Sequence, residues 1–198
     1  MRPAAIVLAG GASRRFGGDK LAADLAGRPV LAHAVSAVAA VASPVVLVLG
    51  PEAPVPDLGV PVVIARDTEA FGGPLAGLLA GLEALAALHD GPPDSALLVG
   101  GDMPSLVGAV LARMVAVLAA DPALGAVTLE TDPPSALPMA VRPALALPAV
   151  RGLLAADRRR LRGLLAVVRA AEVATADWRA SDPEGRTLHD VDVPADLR

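Results

Sequence analysis

The chain has 198 residues and a formal net charge of −4, which suits a folded α/β unit with a sizeable core and argues against a general nucleic-acid binder. Apolar residues make up 54% of it but aromatics only 2%, so packing must rest on Leu, Val and Ala in close helix–sheet contacts. The absence of cysteine excludes disulfides, thiolate metal sites and a cysteine nucleophile.

Taken in order, Ala4-Ala5-Ile6-Val7-Leu8 is an apolar run that reads as a buried strand. It feeds a stretch, Ala9 onward to Lys20, that is too glycine-rich for helix and too basic for core. Residues 21–27 form a turn-rich connection, and Arg28-Pro29 opens a helix striped by Leu31, Val35, Val38 and Val41. Pro44 ends that helix; residues 45–49 and 60–64 read as the second and third strands. Arg66-Asp67 leads into Phe71-Gly72-Gly73-Pro74-Leu75-Ala76-Gly77, a second glycine-rich loop opening a helix that runs to about His89. Residues 96–100 are a fourth strand ending in Gly101-Asp102-Met103-Pro104, and Ser105 is placed to cap a helix to about Ala120. Strands at 125–129 and 137–141, helices at 144–155 and 159–168, a strand at 172–175 and a mobile loop at 180–186 are expected to follow.

Residues 29–51 lack Lys, Arg, Asp and Glu and are long enough to span a bilayer, but Pro44 and the alanine content favour a helix followed by a strand. The apolar run behind Arg2 reaches Gly10 too soon for a signal peptide, so a cytoplasmic protein with no membrane span is expected. Residues 1–198 read as a single domain. Buried strands alternating with helices predict a three-layer α/β/α, Rossmann-like fold with a mostly parallel central sheet.

Ligands in such folds sit at the carboxyl ends of the strands. Three polar loops leave those ends here, at residues 10–20, 66–77 and 101–104. Glycines let backbone N–H groups approach a phosphate closely, Ser13 adds a hydroxyl, and Arg15 and Lys20 add positive charge. Lys20 is the only lysine in a chain that otherwise uses arginine, so a compact point charge is required there. Asp102, directly after an apolar strand, is a candidate metal ligand, although an Asp so placed equally often caps the next helix. Asp190 and Asp192, two apart in an extended segment, point to one side and form a second acidic candidate; the alternative is a solvated turn. Arg142, at a strand end, is a candidate for an acceptor phosphate. Arg158-Arg159-Arg160 with Arg162 reads as a solvated helix face, and His33, His89 and His189 share no metal-ligand spacing.

Neither common nucleotide fingerprint is present, since five residues separate Gly11 from Gly17 and Asp19 precedes Lys20. The string Leu8-Ala9-Gly10-Gly11-Ala12-Ser13-Arg14-Arg15-Phe16-Gly17-Gly18-Asp19-Lys20 instead resembles, position for position, the signature of the molybdenum cofactor guanylyltransferase-like (MobA-like) nucleotidyltransferases. Gly73-Pro74-Leu75-Ala76-Gly77, Gly101-Asp102-Met103-Pro104 and Asp190-Val191-Asp192-Val193-Pro194-Ala195-Asp196-Leu197 resemble further family motifs, with Val193 where the family has threonine. The resemblance implies a nucleotidyltransferase fold and transfer of a nucleoside monophosphate, GMP from GTP favoured, to the phosphate of a molybdopterin-type acceptor with release of pyrophosphate. It implies Mg2+ on Asp102 with Asp192 or Asp190, and nucleotide binding by Leu8, Ala9, Gly10, Gly11, Ser13, Lys20, Asp67, Gly73 and Asp102, with Arg15, Lys20 and Asp102 catalytic. Molybdoenzymes or other cofactor-synthesis proteins are the partners it suggests. The family's base-contacting asparagine has no counterpart, because Gly50-Pro51 stands there, so a cytidylyltransferase or another phosphate-monoester nucleotidyltransferase stays open. A non-catalytic nucleotide-binding module for a molybdoenzyme is the alternative of a different class.

Overall fold

The computed structural model describes residues 2–10, 16–67, 72–88 and 93–197. Its elements run β1 (Ala4–Leu8), β2 (Asp24–Leu25), β3 (Arg28–Pro29), α1 (Val30–Ala39), β4 (Val45–Leu49), β5 (Val63–Arg66), α2 (Pro74–Ala87), β6 (Ala96–Gly100) and α3 (Gly108–Ala120). Then come β7 (Ala126–Leu129), β8 (Met139–Val141), α4 (Pro143–Ala155), α5 (Arg162–Leu165), β9 (Ala170–Val173) and α6 (Thr175–Arg179), followed by two 3-10 turns at Arg186–Leu188 and Pro194–Leu197.

Seven strands form one sheet in the order β5-β4-β1-β6-β8-β7-β9. Neighbours are parallel except around β8, which runs antiparallel to both β6 and β7. Successive strand residues point to opposite faces, and both faces are covered, which is why the strands are apolar at nearly every position. Ala5, Val7, Leu47, Leu97 and Val99 pack under α1 and α3, while Ala4, Ile6, Val46, Val48 and Leu98 pack under α2 and α4. The helices meet them with stripes of helical period, Leu31, Val35 and Val38 on α1 and Leu75, Leu78, Leu82 and Leu85 on α2. The three-layer arrangement with a mostly parallel sheet is therefore as the sequence predicts.

The departures are local and have local causes. The strand expected at 60–64 begins at Val63 and runs through Arg66, because Pro61 has no N–H to give the ladder while Arg66 pairs with Leu49. Ser105 does not cap α3; the N-cap is Val107, whose N–H donates to Thr187 Oγ1 at 3.1 Å. The helix expected at 159–168 contracts to α5, with Gly163 inside it, and residues 158–160 form an exposed loop rather than a helix face. The last strand lies two residues earlier than expected, because Thr175 leaves it to donate its N–H to the Glu130 carboxylate at 2.7 Å and start α6. The segment at 180–186 is tied down from within: buried Asp182 accepts the N–H groups of Arg186 at 3.0 Å and Thr187 at 2.8 Å. Residues 29–51 resolve into β3, α1 and β4, and among the described residues no helix is long and apolar enough to cross a membrane.

The α2 layer sits so close to the sheet that a Cβ on Gly81 would lie 2.5 Å from Ile6 Cγ2, whereas a Cβ on Gly152 in α4 would meet nothing within 4 Å. Ile6 is branched at Cβ and held in the sheet centre, so it cannot yield cheaply. Gly81→Ala is expected to lower the unfolding temperature, since overpacking costs about 1–3 kcal/mol and improved helix propensity returns only about 1 kcal/mol. Gly152→Ala is expected to raise it, by a gain of roughly 0.5–1 kcal/mol. Thermal unfolding followed by circular dichroism checks both signs.

Candidate active site

β1 and β6 are adjacent and parallel, with Leu8 opposite Gly100, so the loops leaving them emerge side by side. The Gly101 N–H donates to Leu8 O at 2.9 Å, and the Ala9 N–H donates to Val48 O at 2.8 Å, carrying the ladder to its edge. A Cβ on Gly100 would run into Asp102 Oδ1, so glycine there leaves room for that carboxylate to fold back over the strand end. A Cβ on Gly101 would stand 2.8 Å from Leu31 Cδ1 and 3.1 Å from Leu8 O, which explains the second glycine.

Lys20 reaches Asp102 from the first loop. The Asp19 carboxylate accepts the N–H groups of Leu21 at 3.0 Å and Ala22 at 3.4 Å, a local turn that fixes where Lys20 leaves the backbone. The Lys20 ammonium donates to Asp102 Oδ2 at 2.6 Å and to Asp192 Oδ1 at 3.4 Å, and its side chain is 15% exposed. Asp190 and Asp192 arrive on the C-terminal segment, which docks through the Val191 N–H donating to Asp102 O at 2.8 Å. Val191 buries its side chain, and the acidic residues on either side of it face the cleft together. One carboxylate oxygen from each of Asp102, Asp190 and Asp192 lies within 4.8 Å of the others. The turn beyond is closed by Asp196, whose carboxylate accepts the N–H groups of Asp192 at 2.8 Å and Val193 at 2.9 Å.

The electrostatics follow from this crowding. Partial burial works against the charge on Lys20, but the hydrogen bonds and charges of Asp102 and Asp192 outweigh it and raise its pKa. Desolvation, then the negative charges of Asp192 and Asp102, push the Asp190 carboxyl above the ordinary carboxylate range. An all-oxygen donor set with surplus negative charge, already drawing an ammonium to itself, fits a hard divalent cation.

Of the other expected residues, Leu8, Ala9 and Gly10 lie at the end of β1. Asp67 lies at the end of β5, with its N–H on Leu49 O at 2.9 Å. Gly73 is the N-cap of α2 at a φ of 85°, a left-handed conformation that favours glycine, and Gly77 one turn on brings α2 against Leu8 and Val48. Gly11, Ser13, Arg15 and His89 lie outside the described residues. His33 lies on α1 with its Nε2 2.7 Å from Leu25 O. Arg142 is a correction. It follows β8, whose Val141 pairs with Ala96 at the start of β6, and so stands at the opposite edge of the sheet from Asp102. Its guanidinium donates to the carbonyls of Leu118 at 2.7 Å, Leu124 at 3.1 Å and Asp121 at 3.3 Å, capping the end of α3, and it takes no part in the cleft. Sequence reasoning missed Asp182, Thr187 and Asp196, whose work is to hold backbone N–H groups; Asp196, four residues past Asp192 across a proline, carried the only visible turn signal.

A mostly parallel sheet covered on both faces, with a lysine and three carboxylates gathered at its carboxyl edge, is an arrangement suited to a nucleotidyltransferase. The comparisons agree: residues 5–175 match the MobA-like NTP transferase domain, and the chain belongs to that family. A probable molybdenum cofactor guanylyltransferase from Chloroflexus aggregans is 31% identical over 207 residues, covering 100% of this chain and 93% of the relative. A molybdenum cofactor guanylyltransferase from Shewanella amazonensis is 29% identical, covering 89% of this chain and 87% of its own. Among solved structures, molybdopterin-guanine dinucleotide biosynthesis protein A from Archaeoglobus fulgidus superposes with a TM-score of 0.77 at 19% identity, covering 98% of this chain and 94% of that one. 2-C-methyl-D-erythritol 4-phosphate cytidylyltransferase from Thermus thermophilus gives a TM-score of 0.71 at 18% identity, covering 100% and 96%. These two likenesses speak to the fold.

The raised pKa of Asp190 has a direct consequence in the cation-free protein. A carboxyl raised on folding favours the protonated fold, so its contribution is full at acid pH and is lost as pH rises above the ordinary carboxylate range. Asp190→Asn is therefore expected to raise the unfolding temperature in EDTA at pH 7 and to leave it unchanged near pH 3, where the native carboxyl is also neutral. An unfolding series against pH checks the crossover.

Proposed function

We propose that this chain transfers a nucleoside monophosphate, GMP from GTP by preference, onto the phosphate of a molybdopterin-type acceptor in a Mg2+-dependent reaction. The observation that carries this reading is the meeting of Lys20 with Asp102, Asp190 and Asp192 at the mouth of β1 and β6. The homologous molybdenum cofactor guanylyltransferases support the acceptor and the base.

The acceptor phosphate oxygen attacks the α-phosphorus; the bond from the α-phosphorus to the bridging oxygen breaks and pyrophosphate leaves. The nucleophile is already anionic, so the protein needs no covalent relay and acts by positioning and charge stabilisation. Asp102 with Asp192 and Asp190 would hold Mg2+, which neutralises charge on phosphate oxygens when bound. The backbone of residues 8–10 would line the way in for the nucleotide, with Asp67 and Gly73 on the nucleoside side; Ser13 and Arg15, outside the described residues, are the phosphate-binding groups that the family signature implies. Lys20 has a second duty. Its ammonium balances the carboxylates before the nucleotide arrives and then steadies the departing pyrophosphate, so it serves both sides of the charge exchange.

The experiment is pyrophosphate release with each of the four ribonucleoside triphosphates, with and without a molybdopterin-type acceptor. GTP with acceptor is expected to give turnover, and Lys20→Ala or Asp102→Ala to lower kcat by about 10²–10³, on the scale of losing one preorganised charge-stabilising donor. A CTP preference would keep the chemistry and change the base, which Gly50-Pro51 at the family's asparagine position leaves room for. Tight nucleotide binding without turnover on any triphosphate would instead favour the non-catalytic module.

A further inference from the structure

Three polar side chains among the described residues are buried, Thr128, Asp182 and Thr187, and the last two lie within the 11 residues that end at Asp192. Both fall beyond residue 175, where the match to the family domain stops. Burying a carboxylate is costly unless its oxygens are satisfied. Asp182, 1% exposed, spends both oxygens on backbone: Oδ1 accepts the Arg186 N–H at 3.0 Å and Oδ2 accepts the Thr187 N–H at 2.8 Å. Those two bonds close the turn that sends the chain back across the carboxyl edge of the sheet. Thr187, fully buried, then accepts the Val107 N–H on its Oγ1 at 3.1 Å, at the head of α3.

Residues 102–107 are thus held at both ends by the returning segment. Val107 is bonded to Thr187 at one end, and Asp102 O accepts the Val191 N–H at 2.8 Å at the other. Asp190 lies between these two bonds and Asp192 just outside them. Each bond runs between the stretch that carries the first carboxylate and the stretch that carries the other two. Carboxylates brought within 4.8 Å of one another repel; the Lys20 ammonium offsets part of that repulsion, and the two bonds set the register of the stretches.

We infer that Asp182 and Thr187 are positioning residues for the cation site, a two-step clamp that sets Asp190 and Asp192 against Asp102. The inference rests on reading those carboxylates as the cation site. Neither residue touches substrate or cation; each acts through the backbone it holds. Removing the Thr187 acceptor leaves the Val107 N–H unpaired and frees the segment to drift, which loosens the carboxylate trio while leaving the strands of the sheet paired.

The test is Mn2+ binding to the purified full chain without nucleotide, read as the fall in the free-ion electron paramagnetic resonance signal. Wild type is expected to bind Mn2+ and Asp102→Ala to lose it. Thr187→Val, similar in shape but without an acceptor, is expected to weaken Mn2+ binding about 10- to 100-fold, the usual size of an outer-shell effect on metal affinity. Thr187→Ser, which keeps the acceptor, is expected to bind like wild type, a rescue that a purely space-filling role would not predict. Should Thr187→Val fail to fold, Asp182→Asn, which can accept through one oxygen only, carries the same comparison. Wild type that binds no Mn2+ overturns the cation reading and this inference with it. Binding that Asp102→Ala abolishes but folded Thr187→Val retains within twofold overturns this inference alone.

Discussion

The ammonium of Lys20, set between Asp102 and Asp192, is the contact on which the arrangement of the cleft depends. Two unit charges 4 Å apart near a protein surface interact with about 4 kcal/mol of either sign, so three carboxylates sharing one corner would drive their segments apart. One cation on the inside of that corner offsets much of the repulsion. It also explains the residue type: a guanidinium is planar and spreads its donors in a fork, whereas an ammonium is compact enough to stand between two oxygens and still present a proton to a third partner.

The sheet serves this corner through its one reversal. β8 runs against β6 and β7, and the sheet then continues through β7 and β9, which are again parallel to β1. A chain leaving β9 therefore exits at the same edge as one leaving β1 or β6. From there a short helix and two turns carry it back to Asp102. Close layering is what keeps the edge narrow. Gly77 and Gly81 let α2 rest directly on Leu8, Val48 and Ile6, so the start of α2 stands beside the end of β1.

Much of this was legible in the sequence because it is written in local chemistry. Apolar runs bounded by glycine and proline marked the strands, the stripes on α1 and α2 marked their buried faces, and the loop from Leu8 to Lys20 named its own family. Asp102, Asp190 and Asp192 were readable as acidic residues at strand ends and in an extended segment. What was not legible depended on partners far along the chain. Ser105 has the composition of a cap, but the Val107 N–H at the head of α3 is met by Thr187, 80 positions away. Arg142 looked like an anion site from its place after a strand, and only the antiparallel sense of β8 reveals that it faces the wrong edge. The run at 158–162 had helical composition, yet no apolar stripe long enough to fold it against the core beyond α5.

The single tryptophan has a consequence of its own. Trp178 is 1% exposed on α6, its indole N–H donates to Glu130 O at 3.1 Å, and the Arg179 guanidinium lies 4.8 Å from its ring centre. With no tyrosine and only two phenylalanines in the chain, its near-ultraviolet emission is the emission of this one indole. It stands four residues before Asp182, between the last strand and the segment that closes the cleft. Unlabelled protein thus carries one intrinsic optical reporter, set in the packing of α6 just ahead of the Asp182 turn.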